Sequence, residues 1–458
     1  MDLIIRGGTV VTPRESYEAD VRITEGRISA VGRDLAAKGC ETYDASGCKL
    51  FPGFIDAHTH LDMDTGAALT ADDFVSGTRA AAAGGTTMLL DFATQDRGGT
   101  LCDALDVWHG KADGKSSCDY GFHMAITDWN EMVSRELDEM ARQGVTSFKC
   151  YLAYDNLRIS DGQLYEILKR VGQLHGIVGV HCENGDLVNE MIAENRRAGN
   201  LSTEYHPLSR PDFVEAEAIA RYCYIAKAAG VPVNIVHLST RMGLEEALRA
   251  RARGQKVYIE SCPQYFVFDD NVYSLPDFAG AKYVCSPPVR KPYDQRALWD
   301  ALAKGEIDTV STDHCSFNWK GQKELGREDF SKIPNGLPGI EHRPAVMYTL
   351  GVAAGRMTEN QMAAMLSENT ARLFGMYPRK GLIAPGADAD IVVWDPACCW
   401  TITAADMEQK VDYTPYEGMR MQGKAKAVFL RGQLVAAGGK VLMERKGVYV
   451  PRDESEYF

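Results

Sequence analysis

The sequence lacks any apolar run that approaches the length of a membrane-spanning helix, so it gives no sign of an integral membrane protein. Basic residues are in the minority, because 50 Lys and Arg stand against 63 Asp and Glu for a formal net charge of −13. This balance argues against a nucleic-acid-binding surface. The first residues, MDLIIRGGTV, contain neither the basic nor the apolar region of a secretion signal. We therefore expect a cytoplasmic protein with neither a membrane nor a nucleic acid as its partner.

The twelve cysteines are scattered through a long chain and do not form the dense pattern of a disulfide framework. Several of them (Cys150, Cys182, Cys262 and Cys315) lie inside or just after apolar runs, where a thiol packs as a small core side chain. We interpret them as reduced thiols, which agrees with a cytoplasmic location.

The middle of the chain, residues 51–377, alternates short apolar runs with long helical stretches such as LYEILKRVGQLHG. Eight repeated strand–helix units over about 320 residues predict a (β/α)8 barrel. A doubly wound sheet is the structural alternative, but the glycine fingerprint of a dinucleotide-binding fold is missing. The runs are FIDAHTH, TTMLLDF, YGFHMAI, SFKCYLAY, GIVGVHCEN, VNIVHLST, VYIESCPQY and DTVSTDH.

The two ends of the chain, residues 1–50 and 378–458, have a different pattern. Stretches such as LIIRGGTVV and KAVFLRGQLVAAGGKV are rich in β-branched residues and turn signals, which is typical of short strands and hairpins. We expect these two segments to pair with each other as one small discontinuous β domain. The charged final stretch, PRDESEYF, is expected to be exposed to solvent.

Potential metal ligands stand at the ends of several predicted strands, where a barrel of this kind places its active site. A single histidine at a strand end is usually a core or surface residue, but ligand types at equivalent depth on several strands indicate one metal site. Lys149 lies among them, inside the apolar run SFKCYLAY, either as a solvated strand residue or as part of the site. The potential ligands are His58 and His60 in the first run, His181 in the fifth, His237 in the sixth and Asp313 in the eighth.

Motifs over essentially the entire chain resemble the cyclic amidohydrolases of the dihydropyrimidinase and hydantoinase group. They include GFIDAHTHLD, FKCYLAY, VHCENGD, ESCPQY, SPPVR, STDHCSF, IPNGLPGIE and APGADADIVVWD. The resemblance implies a metal-bearing TIM barrel with a β-sandwich side domain, usually in a homotetramer. It also implies two divalent metal ions, typically zinc, with Lys149 carboxylated by carbon dioxide to form the bridging ligand. By the same resemblance, His58, His60 and Asp313 hold one ion, and His181 and His237 hold the other.

Such a site predicts hydrolysis of a small cyclic ureide. A hydroxide bridging the two metals would attack the ring carbonyl, and Asp313 is placed to carry its proton to the departing ring nitrogen. The resemblance gives Tyr154 the role of stabilising the oxyanion, and gives Ser286 and Asn335 the role of fixing the ring. The expected reaction opens 5,6-dihydropyrimidines or 5-substituted hydantoins to N-carbamoyl amino acids.

Three other functions are possible for a chain with this pattern. Dihydroorotases resemble one another in an arginine two residues after the second histidine, whereas Asp62 stands here and would repel the substrate carboxylate. Allantoinase stays open, because its differences lie in loops. Some non-catalytic scaffold relatives have lost metal ligands, but all six ligand positions are present in this chain. Many relatives carry proline and phenylalanine where this chain has Asp64 and Thr65, and this change resembles the phenylhydantoinase branch. The exocyclic group of the substrate and its enantiomer therefore stay open.

Overall fold

The computed structural model describes residues 2–37 and 39–457. Its strands fall into two sheets, one built from the middle of the chain and one from both ends. Numbered in chain order, the strands are β1 (Leu3–Val11), β2 (Ser16–Thr24), β3 (Arg27–Gly32), β4 (Glu41–Asp44), β5 (Lys49–Pro52), β6 (Phe54–Thr59), β7 (Thr86–Thr94), β8 (Asp119–Ala125), β9 (Ser147–Tyr151), β10 (Ile177–His181), β11 (Val233–Ile235), β12 (Val257–Ser261), β13 (Thr309–Val310), β14 (Ile391–Thr401), β15 (Arg420–Leu430), β16 (Gln433–Ala437) and β17 (Lys440–Val441).

Strands β6 to β13 form a parallel barrel in which each strand pairs with its neighbours in chain order. Each lies in or overlaps one of the eight apolar runs identified in the sequence. The two ends of this sheet meet just beyond β13, where His314 forms a parallel bridge with Thr59 and its carbonyl accepts the His60 N–H at 2.8 Å. The (β/α)8 barrel predicted from the sequence is therefore confirmed.

Helices cover the outside of the barrel, and they follow the pattern expected for a buried parallel sheet. Helix α3, for example, begins after Asn130, whose side chain caps the first turn, and buries Val133, Leu137 and Met140 at helical spacing. In the described part of the chain no helix has both the length and the apolar character that spanning a membrane requires. The helices are α1 (Phe74–Gly84), α2 (Leu101–Ala112), α3 (Glu131–Arg142), α4 (Asp161–Gly172), α5 (Gly185–Arg197), α6 (Tyr205–Leu208), α7 (Asp212–Ala229), α8 (Arg241–Ala252), α9 (Pro263–Val267), α10 (Pro292–Ala303), α11 (Arg343–Met347), α12 (Glu359–Ala363) and α13 (Asn369–Leu373).

The second sheet joins the two ends of the chain, as the sequence predicts. Its strand order is β17-β16-β15-β14-β5-β1-β2-β3, with β4 also paired to β1. The antiparallel pair of β5 and β14, in which Leu50 lies opposite Val393, connects the N-terminal strands to the C-terminal ones. Ile5, Val21 and Phe429 belong to the separate apolar core of this sheet. The fold is thus a barrel with a small discontinuous β domain.

The final stretch of the chain packs against the barrel, so the expectation that it is exposed to solvent is wrong for several of its residues. Arg452 is only 3% exposed and donates a hydrogen bond to Ser147 Oγ at 2.6 Å. The Tyr457 ring stacks on Tyr258, with ring centroids 5.1 Å apart. The charged composition of this final stretch is that of a solvated tail, because the partners that bury it, such as Ser147, lie far away in sequence and cannot be read from the stretch itself. Phe458 lies outside the described residues.

Candidate metal centre and active site

The carboxyl ends of the barrel strands surround one cavity of about 340 Å³. Its wall contains all the residues that the sequence assigns to metal binding, catalysis and substrate binding. The structure therefore brings together positions that span more than half of the chain. They are His58, His60, Lys149, Tyr154, His181, His237, Ser286, Asp313 and Asn335.

His58, His60 and Asp313 form the first group of potential ligands, and their donor atoms lie within 4.8 Å of one another. Asp313 Oδ1 lies 3.1 Å from His58 Nε2 and 3.2 Å from His60 Nε2. His58 Nδ1 lies 2.7 Å from Glu260 Oε1, and with its proton on that nitrogen it presents a bare Nε2 to the Asp313 carboxylate. Two electron-rich atoms that face each other at this distance fit a shared divalent cation.

His181 and His237 form the second group. His181 Nδ1 lies 3.0 Å from His237 Nε2, while His181 Nε2 lies 2.8 Å from Glu183 Oε2. Because the Glu183 carboxylate can only accept, the proton of His181 belongs on Nε2, and its Nδ1 lone pair points toward His237. Burial and the nearby Lys149 ammonium hold the pKa of His237 well below its usual range, so its imidazole is neutral. The pair therefore also fits a cation.

Lys149 lies on β9, lines the same cavity as these two groups and is 1% exposed. Its Nζ is 5.1 Å from the centroid of the Phe92 ring and 5.3 Å from that of Tyr151. Within the part of the chain that the structure describes, it forms no ion pair. Burial lowers the pKa of its amine to about 8, so the neutral amine is accessible near physiological pH. A neutral amine is the form that can react with carbon dioxide.

Three residues on the cavity wall have left-handed backbone conformations, which non-glycine residues rarely adopt. The φ angles are 68° at Tyr154, 41° at His237 and 52° at Asp313. Each such residue costs about 1–3 kcal/mol and persists only where the surrounding structure holds it in place. The structure therefore directs these side chains into the cavity at an energetic cost, a pattern that clusters at functional sites.

The remaining predicted residues line the same cavity above the strand ends. Burial raises the pKa of Tyr154 to about 12, although the nearby Arg210 opposes this shift, so its hydroxyl stays a hydrogen-bond donor at neutral pH. Ser286 and Asn335 lie on two loops joined by a hydrogen bond from Gly336 N to Val284 O at 3.0 Å. These donors and backbone groups face the space where a small polar ring could bind.

Comparison with known proteins identifies the family. The model of the amidohydrolase family matches residues 50–435. This chain belongs to the amidohydrolase family. The amidohydrolase is 45% identical over 437 residues to the D-hydantoinase of Geobacillus stearothermophilus, covering 95% of this chain and 93% of the relative. It is 39% identical to the D-phenylhydantoinase of Escherichia coli O127:H6 over 442 residues, covering 96% and 95% of the two chains.

A solved structure also matches the whole amidohydrolase. The dihydropyrimidinase from Brevibacillus agri NCHU1002 superimposes with a TM-score of 0.98 at 43% identity, and the match covers 99% of both chains. The fold predicted from the sequence, including the β domain built from both ends, is thus shared with that solved chain.

Two acidic residues beside the metal ligands have no role that the sequence predicts. Glu260 faces His58, and Glu183 faces both His181 and Arg210, whose Nη1 lies 2.6 Å from Glu183 Oε2. Although burial opposes it, the Arg210 charge helps to lower the pKa of Glu183 to about 2, which keeps the carboxylate ionised. The sequence signal that could indicate such roles is a carboxylate within or just after an apolar strand, as for Glu260 in VYIES and Glu183 in VHCEN.

Proposed function

We propose that this amidohydrolase opens the cyclic amide bond of 5,6-dihydropyrimidines and 5-substituted hydantoins to give N-carbamoyl amino acids. The observation that carries the proposal is that all nine predicted site residues line one cavity in a chain of this family. Relatives named D-hydantoinase and D-phenylhydantoinase support it, and their names favour the D enantiomer of a 5-substituted ring.

The site is proposed to hold two zinc ions. His58, His60 and Asp313 would bind one ion, and His181 and His237 the other, with Lys149 as a carbamate that bridges them. The donor set supports this arrangement, because Asp313 Oδ1 lies within 3.2 Å of the Nε2 atoms of His58 and His60, and His181 Nδ1 lies 3.0 Å from His237 Nε2. When bound, the ions would supply a water molecule acidified to near neutrality and would polarise the ring carbonyl.

The protein's own residues would then move protons and hold the ring. Asp313 would accept the proton of the attacking water and deliver it to the ring nitrogen as the carbon–nitrogen bond breaks. The hydroxyl of Tyr154 would donate a hydrogen bond to the carbonyl oxygen as negative charge develops on it. Backbone groups beside Ser286 and Asn335 would bind the ureide part of the ring. The single product would be an N-carbamoyl amino acid, which carries both the new carboxylate and the carbamoylamino group.

The mouth of the cavity would accommodate the exocyclic group of the substrate. The cavity wall also includes Met63, Asp64, Thr65, Leu157 and Ile333, a mixture of apolar and polar side chains that this group would contact. A volume of about 340 Å³ lies at the lower end of the range of roughly 300–1,000 Å³ for small-molecule pockets. This size supports a single ring with one substituent.

The assembly is proposed to be a homotetramer in the cytoplasm. Resemblance to the hydantoinase group supports the tetramer, and light scattering during size-exclusion chromatography would measure it. The cytoplasm is supported by the cysteines, all twelve of which are free in the structure.

The proposal is tested with purified protein and a panel of dihydrouracil, hydantoin, both enantiomers of 5-phenylhydantoin, allantoin and dihydroorotate. The expected result is that dihydrouracil, hydantoin or 5-phenylhydantoin is converted to the corresponding N-carbamoyl amino acid. Turnover of allantoin alone would contradict the proposal and favour an allantoinase. The absence of both turnover and stoichiometric metal in freshly purified protein would favour a non-catalytic scaffold instead.

A further inference from the structure

Lys323 is completely buried, yet it has no role in the metal centre. Its Nζ donates three hydrogen bonds to backbone carbonyls, to Val284 O at 2.8 Å, to Pro334 O at 2.7 Å and to Gly336 O at 2.8 Å. An ammonium group has three N–H donors, so these three carbonyls satisfy it fully.

The three carbonyls belong to the two loops that carry the proposed ring-binding residues. Pro334 and Gly336 stand on either side of Asn335, and Val284 lies two residues before Ser286. Ser286 and Asn335 line the cavity together with Pro334 and Gly336, whereas Lys323 itself does not line it. One side chain therefore ties together the backbones of both loops.

The charge of Lys323 is compensated by backbone carbonyl dipoles and by the Phe317 ring, whose centroid lies 5.9 Å from Nζ. Among the described residues it forms no ion pair, and burial lowers the pKa of its amine to about 7. Three carbonyl acceptors oppose that effect, because they favour the protonated form. Replacing the ammonium group with an apolar one would leave the Pro334 and Gly336 carbonyls without this donor, and Val284 O with only the Gly336 N–H. The two loops would then move to find new partners.

We propose that Lys323 is a positioning residue that holds the two loops at the spacing required to bind the substrate ring, without touching the substrate. This inference rests on the proposed function, since it assigns the loops beside Ser286 and Asn335 to ring binding. The effect of Lys323 should accordingly appear in substrate binding, while Asp313 and the metal ligands stay in place.

A second buried lysine provides a matched control. Lys380 is 2% exposed, and its Nζ lies 2.6 Å from both Asp119 Oδ2 and Asp390 Oδ2. It joins the start of strand β8 to the small β domain, at the opposite end of the barrel from the cavity. Lys380→Met should therefore lower the melting temperature while leaving KM unchanged.

The first measurement compares Lys323→Met and Lys323→Gln with the wild type and with Lys380→Met, using dihydrouracil and hydantoin as substrates. We expect KM to rise about tenfold or more in Lys323→Met, with less than about a threefold change in kcat and unchanged metal content. The amide of Lys323→Gln keeps two N–H donors, so the KM of this variant should lie between those of the wild type and Lys323→Met. A KM equal to that of the wild type, or equal losses of kcat and metal, would overturn the proposal.

Hydrogen–deuterium exchange provides a second measurement that needs no turnover. Faster exchange confined to residues 284–290 and 334–337 in the Lys323 variants is expected, whereas a rise spread over the whole barrel would overturn the proposal. Failure of both variants to fold would overturn it too, because a positioning residue leaves the barrel intact. If the wild type opened no cyclic ureide at all, the proposed function would fail, and confined exchange would still establish that Lys323 holds the two loops together.

Discussion

Glu260 Oε1 accepts a hydrogen bond from His58 Nδ1 at 2.7 Å, and the same oxygen accepts the backbone N–H of His237 at 3.2 Å. One carboxylate, only 2% exposed, thus contacts a ligand from each of the two proposed metal groups. The carboxylate fixes the tautomer and the orientation of His58, and it helps to place the backbone of His237. Partners of this kind raise the basicity of a ligand and orient its lone pair.

The first prediction is that Glu260→Gln weakens metal binding. The amide keeps the size of the side chain but loses the charge that favours a proton on His58 Nδ1, so the affinity for zinc should fall about 10–100-fold. Competition with a chelator, followed by metal analysis, measures this affinity directly. Glu245→Gln, on the exposed surface of α8, is the control and should retain wild-type affinity. Equal affinities in both variants would remove Glu260 from the metal site.

The second prediction concerns proton transfer by Asp313. Asp313→Asn removes the group that would accept and return the proton, so kcat should fall by about two to four orders of magnitude. Metal content should fall less, because the two imidazoles of the same group remain. Asp106→Asn, on the exposed face of α2, is a control for the loss of a carboxylate. Near-normal turnover by Asp313→Asn would exclude it from the mechanism.

The third prediction is a pH dependence of stability that originates at Glu341. Burial raises the pKa of its carboxyl to about 7, while its Oε2 accepts the backbone N–H of Glu408 at 2.8 Å. Between the unfolded pKa near 4.5 and the folded value near 7, the native state binds the extra proton, so stability falls as the pH rises. The slope from this group is at most about 1.4 kcal/mol per pH unit.

Chemical denaturation of the wild type and of Glu341→Gln at several pH values between 5 and 7.5 measures this contribution. The amide does not titrate, so the stability of the variant relative to the wild type should increase with pH over this range. A constant difference between the two proteins would show that Glu341 is ionised in the folded state at all these pH values.

The barrel and its ligands could be predicted because their signals are local. Each barrel strand is an apolar run of its own, and the side-chain period of a strand places His58 and His60 on the same face. Lys149 is conspicuous for the same reason, because a charged residue in the middle of a buried strand requires an explanation. The order and spacing of the motifs supplied the rest of the site.

The supporting residues could not be predicted, because their roles depend on pairs that are distant in sequence. Nothing near Glu260 indicates that its partner is His58, and nothing near Lys323 indicates that it binds carbonyls on two other loops. Arg452 is similar, since a charged residue near the end of a chain looks solvated until the carbonyl and hydroxyl groups of the barrel are placed around it. Buried polar networks are set by tertiary structure, which local patterns do not encode.

The last prediction concerns Lys149, on which the proposed bridge between the two metal groups depends. Lys149→Ala removes both the bridging carbamate and its negative charge, so metal content and activity should fall together. Lys169→Ala, on the exposed surface of α4, is the control and should retain both. Metal analysis and turnover of dihydrouracil provide the two measurements.

Two additional measurements separate a carbamate from an ordinary buried lysine. Apo-protein reconstituted with zinc should recover activity faster in the presence of bicarbonate than with carbon dioxide excluded. The reason is that the neutral amine of Lys149, which a pKa lowered to about 8 makes more abundant, must first react with carbon dioxide. Short carboxylic acids should restore part of the activity of Lys149→Ala, since a carboxylate can replace the missing carbamate in the cavity left by the side chain. If Lys149→Ala kept two metal ions and full turnover, Lys149 would be a strand residue without a role in the metal centre, and the proposed bridge would be wrong.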